Sequence, residues 1–191
     1  MDSTVPPTRT HRLRVDLADL ADAFEEASAE VWAFLNLDTG EVIRTTWDVR
    51  QELEAIAAEL PDEPPETAAY RAAFAAALER HCAPAWMREL LWEADAVEAG
   101  LGTRFLRLPE ADARAGYTDM ETFIATVASA RLRERLGAAI RGRGAFRRFK
   151  DVLAGYPEER GRWFAFKDGR VRERVRDWLA SEGIAPVLEG E

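Results

Sequence analysis

Five cations, Arg141, Arg143, Arg147, Arg148 and Lys150, fall within the stretch RGRGAFRRFKDVL at residues 141–153. Guanidinium forks bind carboxylate and phosphate oxygens in pairs, and a lysine adds a point charge, so the chemistry this cluster offers is anion recognition. Gly142 and Gly144 flank Arg143, and glycine enters the left-handed region without a Cβ penalty, which predicts a break between two helices. The second helix is expected to begin near Ala145. Its first amides add a partial positive charge. Along it Phe146, Phe149 and Leu153 fall at i, i+3 and i+7, which predicts one buried stripe, while Arg147, Arg148 and Asp151 face elsewhere.

Three functions fit such a stretch. It is an anion-binding surface for nucleic acid or a phosphorylated ligand, and the order helix, glycine turn, helix superficially resembles a helix-turn-helix. Alternatively it is a structural or protein-interaction surface, its arginines paired with Asp and Glu of the N-terminal half, of a partner or of a second copy. In the third reading arginines hold an anionic substrate and Asp151 serves as base. The expectation carried forward is a non-enzymatic regulatory or interaction module, with nucleic-acid or phosphorylated-ligand binding as the alternative. Of Arg147 and Arg148, one is expected to be fixed between the helix and an acidic element and the other to be free.

The remaining chemical inventory is sparse. His11 falls near the N-terminus and His81 is adjacent to Cys82; helical neighbours diverge by about 100°, which does not favour a thiolate–imidazole pair. Zinc needs three or four convergent N or S ligands, and no spacing here supplies them. Glu25, Glu26, Asp62 and Glu63 read as solvated faces and Asp168-Gly169 as a turn. No glycine-rich phosphate loop follows a strand. No catalytic residues, metal or organic cofactor are therefore expected.

Composition bounds these readings. The 191 residues are 47% hydrophobic and 32% charged, enough for a substantial core. A single cysteine excludes an intrachain disulfide. Without an apolar N-terminal core or an apolar run of spanning length, the expectation is a cytoplasmic protein with no membrane partner. The net charge of −9 hides an asymmetry: residues 131–176 hold 15 Arg or Lys against 6 Asp or Glu, whereas residues 1–130 hold 11 Arg against 25 Asp or Glu. A local basic region in an acidic chain is an electrostatic footprint for an acidic partner, for self-association or for nucleic acid.

The elements that must position the cluster are legible in order. Residues 1–12 and 185–191 read as tails. Asp16 is placed to cap a short amphipathic helix carrying Leu17, Leu20 and Phe24. VWAFLNL and EVIRTTW flank Asp38-Thr39-Gly40, which predicts a β-hairpin, and Arg104–Pro109 is a third strand pairing with it. Between them Val49, Leu53, Ile56 and Leu60, then Tyr70, Phe74, Ala77 and Leu78, then Met87, Leu91 and Ala94 form helical stripes. The segment 61–100 is alanine-rich and reads as a peripheral, dispensable helical insertion. Thr118 with Glu121 looks like a capping box ahead of Phe123 and Ile124. The last helix should bury Phe164, Val171, Val175 and Trp178 and tolerate Gly169.

This order of features resembles uncharacterised protein family 0158, a bacterial group without an established function. The resemblance rests on Asp38-Thr39-Gly40, the strand from Arg104 to Pro109, Tyr117 with Met120, Phe123 and Ile124, the GRGAFRRFKD run at 142–151, Trp163, Phe166, Trp178, Leu179, Gly183 and Ile184. It covers residues 13–47 and 103–184; residues 48–100 are longer and more helical than the connector the family implies. It implies a related fold and a bacterial cytoplasmic setting, and no activity. The expected architecture is a single α+β domain, residues 1–191, with a small antiparallel sheet of about three strands packed with multiple helices and a helical C-terminal half, monomeric or weakly dimeric.

Overall fold

A computed structural model describes residues 11–187. The chain gathers into two compact units, one made of residues up to Glu110 together with those from Leu179 onward, the other of Ala111–Trp178.

In the first unit, strand β1 (His11–Arg14) and helix α1 (Leu17–Glu26) precede the hairpin strands β2 (Val31–Asn36) and β3 (Val42–Thr46), and helices α2 (Trp47–Ala57), α3 (Ala68–Arg80) and α4 (Ala85–Gly100) lead to strand β4 (Phe105–Arg107). β2 pairs antiparallel with β3 on one side and β4 on the other, in the order β3-β2-β4. The fold is thus α+β, with the three-stranded antiparallel sheet read from the sequence. The hairpin turn is fixed by Asn36, whose Oδ1 accepts from the amides of Asp38 at 2.9 Å and Thr39 at 3.4 Å. Gly40 follows at φ 80°, and a Cβ there would fall 1.7 Å from the Arg14 carbonyl oxygen, so both backbone and space demand glycine. Asp16 caps α1 by accepting from the amides of Ala18 at 2.7 Å and Asp19 at 3.2 Å.

The three helical stripes between β3 and β4 converge. Val49, Leu53, Ile56, Tyr70, Phe74, Leu78, Leu91 and Ala94 are buried in one cluster. On α4, Val97 joins Phe34 of β2 and Phe105 of β4 in a second. Segment 61–100 therefore supplies apolar surface to the sheet as well as to α2.

One pairing was not foreseen. β1 runs parallel to β5 (Ile184–Val187), with Leu13 opposite Pro186. Residues 11, 12 and 185–187, read as tails, are strand; Leu13 at 4% and Ile184 at 3% exposure anchor the ribbon, which outweighs its polar sequence. The rest of those tails, residues 1–10 and 188–191, lies outside the described residues.

The second unit is helical: α5 (Ala113–Thr126), α6 (Ala130–Ala139), α7 (Ala145–Ala154) and α8 (Pro157–Ser181), the last entering from this unit. Its core joins Met120, Phe123, Leu132, Leu136, Phe149, Leu153 and Trp163. Trp163 lies edge-on to Phe149 at 4.8 Å and to Phe123 at 5.2 Å between ring centroids, the geometry aromatic quadrupoles favour. Two expectations are corrected. α5 starts before Thr118, capped by Asp112, which accepts from the Arg114 amide at 2.8 Å; Thr118 Oγ1 instead donates to the Arg114 carbonyl inside the helix. On α8 Trp163 is buried and Phe164 is 54% exposed, since a shift of one residue turns a helix face by about 100°. Val171, Val175 and Leu179 continue the buried stripe at intervals of four.

Candidate functional site

The basic stretch is a turn between α6 and α7, and the sequence dictates its shape. Gly142 and Gly144 both adopt the left-handed conformation, at φ 76° and 79°. A helix leaves its last carbonyls without intrahelical donors, and here one side chain supplies them. Arg148 Nε donates to the Ala139 carbonyl at 2.9 Å, and Nη2 donates to those of Arg141 at 2.7 Å and Gly142 at 3.3 Å. Nη1 donates to the carbonyl of Arg143. Of the two adjacent arginines Arg148 is thus the fixed one, held by backbone carbonyls in place of the acidic element expected.

Phe149 fixes α7 from the other side, at 1% exposure among Phe123 and Trp163. Phe146 corrects the expected stripe: it is 43% exposed and its ring rests over Gly116 of α5, where a Cβ would come within 3.1 Å. Positions 149 and 153 repeat at i+4 and turn squarely inward, while position 146 sits on the edge of that face. The anchor is one phenylalanine, and the second is displayed.

Arg141, Arg143, Arg147 and Lys150 are exposed. Among the described residues no carboxylate forms an ion pair with any of the four, whereas the α8 cations Arg162, Arg170 and Arg174 pair with Glu159, Asp119 or Glu173. Gly144, the residue preceding α7, provides no side-chain cap, so the first amides of the helix lie beside Arg143 and Arg147 without a side-chain acceptor. Together these form a cationic ledge that shares the turn and α7 with one exposed aromatic ring. Asp151 is exposed on the same helix.

Two polar arrangements escaped the sequence reading. Asp119, 2% exposed on α5, accepts from Arg170 Nε at 3.1 Å and Arg174 Nη1 at 2.8 Å on α8. This contact holds the Arg170 guanidinium firmly protonated, its pKa raised by the hydrogen bond it donates to Asp119. In the first unit Tyr70 donates to Asp95 Oδ1 at 2.6 Å, both groups buried, and burial pushes the pKa of each upward. Asp119 carries a signal after the fact, an acid directly before Met120 and one turn ahead of Phe123 on a core-facing helix. Tyr70 and Asp95 are far apart in sequence and carry none. His81 points away from Cys82, its ring nitrogens 3.0 Å from Glu52 and 3.0 Å from Glu59. Among the described residues no three His, Cys, Asp or Glu side chains are grouped to hold a metal ion. None of the described helices is long and apolar enough to cross a membrane.

A curated Pseudomonas aeruginosa protein of an uncharacterised family is 32% identical over 68 residues, 36% of this chain and 44% of that protein. The match therefore spans under half of the relative's length. No solved structure matches the chain. The model of the uncharacterised protein family UPF0158 matches residues 92–191, which takes in β4, all of the second unit and β5 and leaves the hairpin outside. The chain that carries this cationic ledge belongs to uncharacterised protein family UPF0158.

Proposed function

We propose that the α6–α7 turn is the docking surface of a non-enzymatic interaction module, and that its partner presents carboxylates around an apolar pocket. The observation that carries this reading is the contrast within one unit: the α8 arginines named above pair with carboxylates, while among the described residues no carboxylate pairs with Arg141, Arg143, Arg147 or Lys150, which share the turn and α7 with the exposed ring of Phe146. Aromatic and arginine side chains dominate the energetics of protein interfaces, the ring filling a pocket and the guanidiniums fixing register. Arg148 supports the surface from below by holding the turn rigid, which lowers the ordering cost of binding.

A second reading, a phosphorylated or nucleic-acid ligand, is favoured by one feature, the α7 N-terminus without a side-chain cap beside Arg143 and Arg147. The net charge of −9 disfavours sequence-independent binding to nucleic acid. The test is purification of the tagged protein from its native host, with bound protein and nucleic acid both identified, alongside a triple Arg143, Arg147 and Lys150→Ala variant. The proposal expects a defined protein partner lost in the variant, with the unfolding midpoint unchanged. Nuclease-sensitive material lost in its place, with a salt slope reduced by about 0.7–0.9 per missing phosphate contact, supports the second reading. Retention of every partner by the variant overturns both.

A further inference from the structure

The first unit holds a cavity of about 750 Å³ whose walls come from five elements. Trp32 projects from β2 and Arg107 from β4, Tyr70 lies on α3 and Asp95 on α4. α2 contributes the face that repeats at Trp47, Arg50 and Glu54, beside its buried stripe of Val49, Leu53 and Ile56. The volume is in the range of small-molecule sites, about 300–1,000 Å³.

The charges in this cavity are unequal in how far they are satisfied. Arg50 stacks on Trp32 at 4.7 Å and pairs with Glu98 at 3.1 Å; Arg107 lies 5.9 Å from the same ring and pairs with Glu110 at 3.2 Å. Both guanidiniums are thus already held by an acid and an aromatic face. Asp95 is different. It is 9% exposed, lines the cavity, and its Oδ1 accepts from Tyr70; among the described residues nothing donates to its Oδ2. No basic side chain among them pairs with it either, and burial raises its pKa for lack of a counter-charge. Trp47, at the mouth, is 53% exposed, and no cation stacks on it among the described residues.

We propose that this cavity binds an organic cation, a protonated amine or guanidinium on a short apolar stem, with its N–H groups donated to Asp95 Oδ2 and its stem laid against Trp47. The opposite choice, an anion, would meet Asp95, Glu54 and Glu98 with both arginines occupied. A tryptophan face attracts cations through its quadrupole, as Trp32 already does with two guanidiniums. A bound ammonium would supply the charge that the buried carboxylate lacks.

The test is isothermal titration and tryptophan fluorescence on the full chain with phenethylamine and agmatine, against phenethyl alcohol and phenylacetate as neutral and anionic matches. Amines are expected to bind about tenfold or more tightly than either control. Asp95→Asn keeps an acceptor for the Tyr70 hydroxyl and should lower amine affinity by about tenfold or more. Trp47→Ala alters an exposed ring and should lower it several-fold with the unfolding midpoint unchanged. If Asp95→Asn fails to fold, Trp47→Ala and the ligand comparison still decide. A blocked Gly-Arg-Gly peptide tells a free amine from a side chain on a basic segment: binding by either supports the site, and the tighter one identifies the source. Equal binding of the alcohol or the anion overturns the proposal, as does unchanged amine affinity in the variants.

Discussion

The guanidinium of Arg148 reaches back across the glycine turn to the carbonyl of Ala139, Nε to O 2.9 Å, so a side chain of α7 closes the C-terminus of α6. Arg148→Ala would strand carbonyls that charged donors now satisfy and should cost about 1.5–3 kcal/mol, whereas Arg147→Ala should stay within about 0.5 kcal/mol. Urea denaturation of the two single variants measures the difference. Equal costs would contradict the division of labour between these neighbours.

Phe149 and Phe146 should separate in the same way. Phe149 is enclosed by Phe123 and Trp163, and its replacement by Ala should cost about 3–5 kcal/mol in lost burial and cavity. Phe146→Ala removes a ring 43% exposed and should cost under about 1 kcal/mol. The same denaturation assay reports both, and a large loss at position 146 would place that ring in the core.

Asp119 is buried while Arg170 and Arg174 keep 43% and 33% of their side chains in solvent. Removing the arginines together strands a buried carboxylate, so the double Ala variant should lose about 3–5 kcal/mol. Asp119→Asn leaves two cations that water can reach and should lose less, about 1–2 kcal/mol. The order of the two losses is the check.

His81 ties α3 to α2 through Glu59 and Glu52, and the hydrogen bond to Glu59 foremost raises its pKa above 6.5. Because the folded value is the higher one, its contribution is fully present below pH 6.5 and is lost as pH rises through the folded value. Glu59, held below its usual 4.5 mainly by Arg80, sets the acid limit, its contribution fading as pH falls through that lowered value. The thermal midpoints of native protein and His81→Gln should therefore differ at pH 6 and converge at pH 9; a constant gap would show that the histidine's charge is irrelevant.

Composition alone makes residues 61–100 look removable, yet Val97 shares a buried cluster with Phe34 and Phe105, and Phe74 and Leu91 are fully buried. Replacing 61–100 with a short flexible linker should abolish cooperative unfolding of the first unit, followed by tryptophan fluorescence. A sharp, two-state transition in that variant would restore the view of a peripheral insertion.

What was legible followed from short-range periodicity. The stripe Tyr70, Phe74, Ala77 and Leu78 is buried as spaced, Asp16 caps α1, and the Asp38-Thr39-Gly40 turn joins β2 to β3. Errors arose where one residue of phase decides the outcome, as at Trp163 against Phe164, or where two cap residues compete, as at Asp112 and Thr118. Longer-range features left no local trace: the β1–β5 pairing and the Tyr70–Asp95 hydrogen bond join residues that nothing in their own neighbourhoods connects, and for Asp119 the neighbourhood marks the acid but not its partners on α8. The cationic stretch was visible as composition, but which arginine braces the turn depended on where the Ala139 carbonyl lies.

The β1–β5 ribbon pairs His11 with Ile184, so the first unit borrows its last strand from the far end of the chain. Residues 111–178, by contrast, are continuous. During synthesis on a ribosome the helical unit therefore has all of its sequence before β5 is translated, while β1, made before that unit, waits for a partner made after it. Domains fold as their chain emerges, so the order of maturation is the reverse of the order of synthesis. Until β5 arrives, β1 lacks the strand it pairs with, and that interval is when a chaperone or another copy has access to its edge.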